Sequence, residues 1–306
     1  MHTILGISGT VGGDLARALR QRNIPVRAVS RRPFPGDWEH RLADVTNPAD
    51  VLSAVDGSEV VYLLVGLEYK LQVWRREWPV IMENVIQACR ANGAKLVFMD
   101  NVYAYGLVDG PMTEKTPMRP CSEKGKVRQH IAQLLLDAMG SGLRGCIARS
   151  PDFYGPRCAN SALNSTVFER YAAGKSAFIM GRADKVHSYI YTPDIGPALA
   201  TLGIDNRADG HVWHLPTTRE ALTGAEWATA VAAAFGVKPK YQATPTWMLR
   251  VMGLFNPLMR ELVEMNYQFT HDYVFSSEKT EQVFGFKPTP IATGLAETVA
   301  YYQTKG

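Results

Sequence analysis

Cysteine is scarce: four residues in 306 (Cys89, Cys121, Cys146, Cys158), with no Cys-x-x-Cys pair. That spacing excludes a thiolate zinc site and a disulfide framework, and suits reduced thiols in a cytosolic protein. No His-x-x-x-His is present either, so no metal site is expected. No apolar run approaches the roughly 20 residues of a membrane span. No basic region with an apolar core opens the chain, so a cytoplasmic location without membrane is expected. Charge of one sign is not concentrated. The net charge is +4, and the cations are scattered apart from short clusters at Arg31-Arg32 and Arg75-Arg76. A nucleic-acid surface needs a basic stripe, and none is visible. Internal repeats and low-complexity linkers are missing too.

What is there is an ordinary globular composition, 46% hydrophobic and 20% charged, enough for a sizeable core. The first half alternates short apolar runs with helical patterns. Strands are expected at Thr3–Ile7, Val26–Ser30, Arg41–Asp44, Glu59–Val65, Lys95–Met99 and Leu143–Arg149. Helices are expected at Asp14–Arg22, Pro48–Val55, Val80–Ala91 and Glu123–Met139, the last with Val127, Ile131, Leu134, Leu135 and Ala138 at helical spacing. Strand–helix alternation implies an α/β fold, a doubly wound, Rossmann-like parallel sheet. The second half is less regular: Pro151–Gly155 reads as a loop, Ser188–Tyr191 as a strand, and Asp194–Leu202, Glu226–Phe235 and Thr246–Phe255 as helices. The expected division is a dinucleotide-binding domain over 1–155, with 186–215 returning to it. A smaller mixed C-terminal substrate lobe takes 156–185 and 216–306.

The chain opens with an apolar run flowing into Gly6-x-x-Gly9-x-x-Gly12. A dinucleotide pyrophosphate needs backbone N–H groups at a helix N-terminus and no side chains in the way. The three glycines meet that need, and Ser8, Thr10 and Val11 complete the loop, with the two hydroxyls as donors. At the end of the second strand, where an acid would bind the ribose of NAD, stand Ser30, Arg31 and Arg32. An arginine pairs with a 2′-phosphate through forked, charge-assisted bonds, which favours NADP and leaves NAD open. Asp44, next to Val45, either accepts from the adenine amino group or caps the following helix, for which Thr46 and Asn47 are the better candidates.

In order along the chain, Val102-Tyr103-Ala104-Tyr105-Gly106, Pro120–Lys126, Arg149–Pro156, Tyr191–Ile195 and Pro288–Gly294 join the glycine loop. Together they resemble the extended short-chain dehydrogenase/reductases of the nucleoside-sugar epimerase/dehydratase type, over nearly the whole chain. The resemblance implies a catalytic Ser/Thr at Asn101, a catalytic Tyr at Ser122, a Lys at Lys126 that holds the nicotinamide ribose, and cofactor contacts from Val65 and Phe153. Two of these depart from the family pattern. An aliphatic hydroxyl is far less acidic than a phenol and needs an adjacent base, so Ser122 does not inherit the tyrosine's role. The pattern is similar to atypical members that keep the cofactor loop and lose part of the tetrad. Tyr103 becomes the candidate replacement acid, while Tyr105, Tyr154 and His187 read as packing or structural residues.

Two functions follow. One is an NAD(P)-dependent oxidoreductase or epimerase/dehydratase-like enzyme with an atypical site, acting on a small carbonyl, hydroxyl or sugar-nucleotide substrate, with a homodimer allowed. The other is a non-catalytic NADP(H)-binding redox sensor resembling NmrA-like regulators.

Overall fold

The computed structural model describes residues 1–304. Along the chain run β1 (His2–Leu5), α1 (Gly12–Arg20), β2 (Val26–Ser30), β3 (Glu39–Leu42), α2 (Pro48–Val55), β4 (Val60–Leu63), α3 (Leu71–Asn92), β5 (Lys95–Asn101), α4 (Glu123–Gly140) and β6 (Gly145–Ser150). Then follow β7 (Asp152–Tyr154), α5 (Glu169–Ala172), β8 (Ala177–Met180), β9 (Tyr189–Tyr191), α6 (Thr192–Ile204) and β10 (His211–His214). The chain closes with α7 (Gly224–Ala234), β11 (Tyr241–Thr244), α8 (Thr246–Phe255), α9 (Pro257–Val263), α10 (Tyr267–Thr270), α11 (Glu278–Phe284) and α12 (Ile291–Gln303).

Two compact units form, each from three chain segments. The first takes Met1–Ala104, Glu123–Ser150 and Ile195–Leu215. It holds a seven-stranded parallel sheet in the order β10-β6-β5-β4-β1-β2-β3. Strands β1, β2, β4 and β6 are buried along their whole length, as expected for a sheet covered on both faces. Helices α2, α3 and α4 pack in a row, while α6 closes on α1, where a Cβ on Gly196 would meet Asp14 backbone at 2.5 Å. The fold is therefore the doubly wound α/β architecture. Strand order reverses between β1 and β4, and in such sheets ligands bind beyond the carboxyl ends of the strands at that reversal.

The second unit takes Tyr105–Ser122, Pro151–Asp194 and Pro216–Gly306. Two small parallel pairs, β7 with β9 and β8 with β11, stand beside its helices. Its core gathers Tyr154, Phe168, Tyr189, Tyr191, Trp227 and Leu295 among others.

Several elements differ from the sequence expectation. The third strand lies at Glu39–Leu42 rather than Arg41–Asp44; it is the sheet edge and carries little apolar signal. Pro151–Gly155 contains a strand, not only a loop. Helix α3 begins at Leu71, nine residues before the expected Val80, and runs through Pro79. A proline inside a helix loses one backbone bond, but Trp74 and Trp78, one turn apart, are both buried and hold that first section in place.

Candidate functional site

The glycine loop divides its labour. Gly6 has φ +92, and a Cβ there would sit 2.9 Å from Val65 N; the chain needs glycine for the turn and for its approach to the segment after β4. A Cβ on Gly12 would collide with Ile7 O, so that glycine lets α1 pack on β1. Gly9 is different. Its nearest neighbours would be Gly6 O at 3.3 Å and Leu64 O at 3.7 Å, and the residue is exposed. Nothing in the fold requires glycine there, whereas a ligand approaching the backbone does. Helix α1 starts from Val11 with no side-chain cap, which leaves first-turn N–H groups for an anion. Ser8 and Thr10 make no side-chain hydrogen bond among the described residues. Asp14, the acid of that turn, is engaged by Arg17. The loop thus fits a pyrophosphate.

At the end of β2 the Ser30 hydroxyl donates to Arg32 O at 2.5 Å and lies 3.1 Å from His40 Nε2. It shapes the turn that carries Arg31 and Arg32, both exposed and without an ion pair among the described residues. Asp37, the first acid after them, is held by Arg20 at 3.1 Å. Asp44 is also exposed. Its Oδ1 accepts from Thr46 N at 2.9 Å and Thr46 Oγ1 at 2.8 Å, which holds its carboxyl below the usual carboxylate range. The cap of α2 is Asn47, which accepts from Ala49 N at 3.0 Å. Asp44 is therefore a turn acid, with Val45 half-buried beside it.

The carboxyl end of β5 carries the densest chemistry. Asn101 Oδ1 accepts from Tyr103 N at 3.0 Å, fixing a 3-10 turn at Tyr103–Tyr105. The Tyr103 ring stacks on Trp74, and its hydroxyl lies 3.4 Å from that of Tyr69 in the segment between β4 and α3. The Lys124 ammonium stands 4.9 Å from the Tyr69 ring centroid, and Lys124 is 1% exposed. Lys126 is elsewhere. Its side chain is 61% exposed and salt-bridged to Glu123 at 2.6 Å. Lys126, expected to hold the nicotinamide ribose, is the exposed lysine; Lys124, two helix residues away and so on nearly the opposite face, is the buried one. Ser122 is buried in the second unit, at the residue before α4.

Beneath this group lies a charge cluster that sequence reasoning missed. Asp100 and Arg149 are register partners on β5 and β6. Asp100 Oδ2 accepts from Arg149 Nε at 3.0 Å, and Oδ1 from Arg128 Nε at 2.8 Å and Asn101 N at 2.8 Å. All three charged side chains are buried. Arg128 also stands 4.5 Å from the Trp78 ring centroid and 5.1 Å from that of Phe98. Removing the acid strands two buried guanidinium groups. Asp100→Ala is expected to lower stability by about 3–5 kcal/mol, read as a denaturation midpoint; a loss near zero would refute the cluster's structural role.

Phe153 lies on β7 in the second unit, half-buried. Tyr154 and Tyr189 are core residues whose phenols are pushed up by burial, which disfavours proton release. A Cβ on Gly294 would collide with the Tyr154 hydroxyl. His187 lies between the rings of Phe269 and Tyr273, with Nε2 2.9 Å from Asp152 Oδ2 and Nδ1 3.1 Å from Gln268 O. It lines a small cleft with Arg182, Lys185, Phe178 and Trp227. No group of three or more metal-binding side chains occurs among the described residues.

The model of the NAD dependent epimerase/dehydratase family matches residues 2–213. The chain belongs to that family. Solved structures of similar shape include MoeE5 in complex with UDP-glucose and NAD, 19% identical, with 99% of each chain covered and a TM-score of 0.81. UDP-glucose 4-epimerase from Thermus thermophilus, in complex with NAD, is 20% identical over 99% of each chain with a TM-score of 0.81. A double mutant of DesIV (dTDP-glucose 4,6-dehydratase) from Streptomyces venezuelae, with NAD and DAU bound, is 17% identical, over 99% of this chain and 97% of its own, at a TM-score of 0.80. No curated protein matches the chain. At these identities the structures establish the shared fold, and the family match carries the assignment.

Proposed function

We propose that the protein binds NADP(H) in preference to NAD(H) and exchanges hydride with a small hydroxyl or carbonyl compound, of which a sugar nucleotide is the leading class. The observation that carries this reading is the glycine loop: an uncapped helix start beneath an exposed Gly9 that the fold itself does not require. The sugar-nucleotide class is supported by the family match and by the UDP-glucose named for MoeE5. Arg31 and Arg32, exposed and unpaired among the described residues, support the 2′-phosphate. A bound nicotinamide supplies the hydride donor or acceptor. This chain supplies the proton chemistry. Lys124 packs its ammonium on the Tyr69 ring, and the Tyr69 and Tyr103 hydroxyls lie 3.4 Å apart, so that a bound hydroxyl or carbonyl placed against either phenol can exchange a proton with it. Asn101 holds the Tyr103 turn. In this reading Lys124 takes the duty that the family spacing gives to Lys126.

Fluorescence titration tests the cofactor preference. NADPH is expected to bind more tightly than NADH. Arg31→Ala is expected to remove about 1.5–3 kcal/mol of NADPH affinity, roughly tenfold to a hundredfold, and little of NADH affinity. Equal affinities in the unchanged protein refute the preference. The second reading, an NADP(H) sensor, is supported by the lack of a tyrosine four residues before either lysine: Ser122 stands before Lys126 and Pro120 before Lys124. It prevails if NADPH binds and is not consumed with any carbonyl or sugar nucleotide offered.

A further inference from the structure

The most exposed large apolar side chains among the described residues sit together at one point. Phe255 is 86% and Leu254 78% exposed, at the end of α8 where Asn256-Pro257 turns the chain into α9. The two helices form a tight hairpin. A Cβ on Gly253 would meet Arg260 Cα at 3.0 Å, so the glycine lets them touch. On a helical wheel Trp247, Val251, Leu254 and Phe255 fall on one arc, all exposed, and Leu258 extends the apolar surface onto α9. Leu249 and Gly253 face inward.

The charges around this apex are one-sided. From Trp227 to Arg260 the sequence has four cations, Lys238, Lys240, Arg250 and Arg260, and no acid. All four are exposed, whereas the next acids, Glu261 and Glu264, are half-buried. An apolar, aromatic tip whose exposed charges close in sequence are all cations matches an anionic bilayer surface: the ring and aliphatic groups enter the headgroup boundary and the cations meet lipid phosphates. A second copy of the chain fits worse. A two-fold contact through this face would add the exposed cations of one copy to those of the other, with only the half-buried Glu261 and Glu264 close in sequence to meet them. The segment lies on the membrane rather than across it. Helix α8 has ten residues, about 15 Å, and no helix among the described residues is long and apolar enough to cross.

We infer that the α8–α9 hairpin is a peripheral membrane anchor, selective for anionic lipid. The proposal is independent of the cofactor reading. Its test is co-sedimentation of the full chain with vesicles of phosphatidylcholine alone and of phosphatidylcholine mixed with phosphatidylserine. Binding is expected to the mixed vesicles and weakly, if at all, to phosphatidylcholine. Leu254→Ser with Phe255→Ser is expected to lower it about a hundredfold, with dichroism and thermal unfolding unchanged because both side chains are exposed. Arg250→Gln and Arg260→Gln are each expected to lower anionic-vesicle binding about fivefold. Absence of binding to either vesicle overturns the proposal. So does a dimer in the unchanged chain that the serine pair dissociates without any vesicle binding; the face then belongs to a second copy. Equal binding to both vesicles removes the anionic selectivity.

Discussion

Gly9→Val is expected to abolish dinucleotide binding in a protein that still folds. The three glycines of the loop look alike in sequence, yet each answers to a different neighbour. Gly6 is tied to a positive φ and to the backbone at Val65, and Gly12 to Ile7 O, so a side chain at either collides with the chain itself. At Gly9 the closest backbone atom is Gly6 O, 3.3 Å from where a Cβ would stand, a contact relieved by a few tenths of an ångström. The residue lies outside the left-handed region, so valine meets no left-handed backbone strain there. What valine does fill is the space over the α1 N-terminus, where a pyrophosphate must touch backbone. Calorimetric titration of NADPH and NADH should therefore show no heat for the variant, while its thermal midpoint stays near that of the unchanged chain. Gly12→Val supplies the contrast, with a large fall in stability. A folded Gly9→Val protein that still binds either dinucleotide would remove the loop from the site.

How much of this was legible in sequence varies with the physics behind each signal. The alternating strands and helices were readable because burial on both faces of a parallel sheet leaves near-continuous apolar runs; Val60–Leu63 and residues 96–99 show it. The edge strand Glu39–Leu42 and the short strand His211–His214 leave no such trace, and both were misplaced or missed. The lysine is the most instructive case. The helical spacing of Val127, Ile131 and Leu135 already puts residue 124 on the inward face and residue 126 outside, yet a family spacing pointed to Lys126. Periodicity reports burial directly, whereas a motif count assumes that its first member is present, and here that tyrosine is Ser122. Asp100 and Arg149 were hidden for another reason: their pairing depends on the β5–β6 register, which no local pattern encodes. Tyr69 depends on a loop folding over the end of β5, a long-range contact that only the structure supplies.

Turnover, with whichever carbonyl or sugar nucleotide proves active, is expected to rest on Tyr69 and Tyr103 rather than on Ser122. Each Tyr→Phe change keeps the ring, so the Trp74 stack of Tyr103 and the Lys124 contact of Tyr69 survive; only the hydroxyl is lost. Loss of general acid–base help typically costs about 10²-fold or more. The fall should appear in kcat, with NADPH affinity unchanged. Lys124→Gln is expected to reduce kcat, because it removes the cation packed on the Tyr69 ring. Lys126→Gln, whose ammonium lies in solvent against Glu123, is expected to change turnover less than about twofold, in keeping with the small worth of an exposed ion pair. Ser122→Ala should change it equally little, since an aliphatic hydroxyl is too weak an acid to take over a phenol's proton transfer. The opposite pattern is equally clear to read. If Lys126→Gln and Ser122→Ala remove activity while both phenylalanine variants and Lys124→Gln keep it, then the family spacing describes the working site, and the phenol pair at the end of β5 is packing alone.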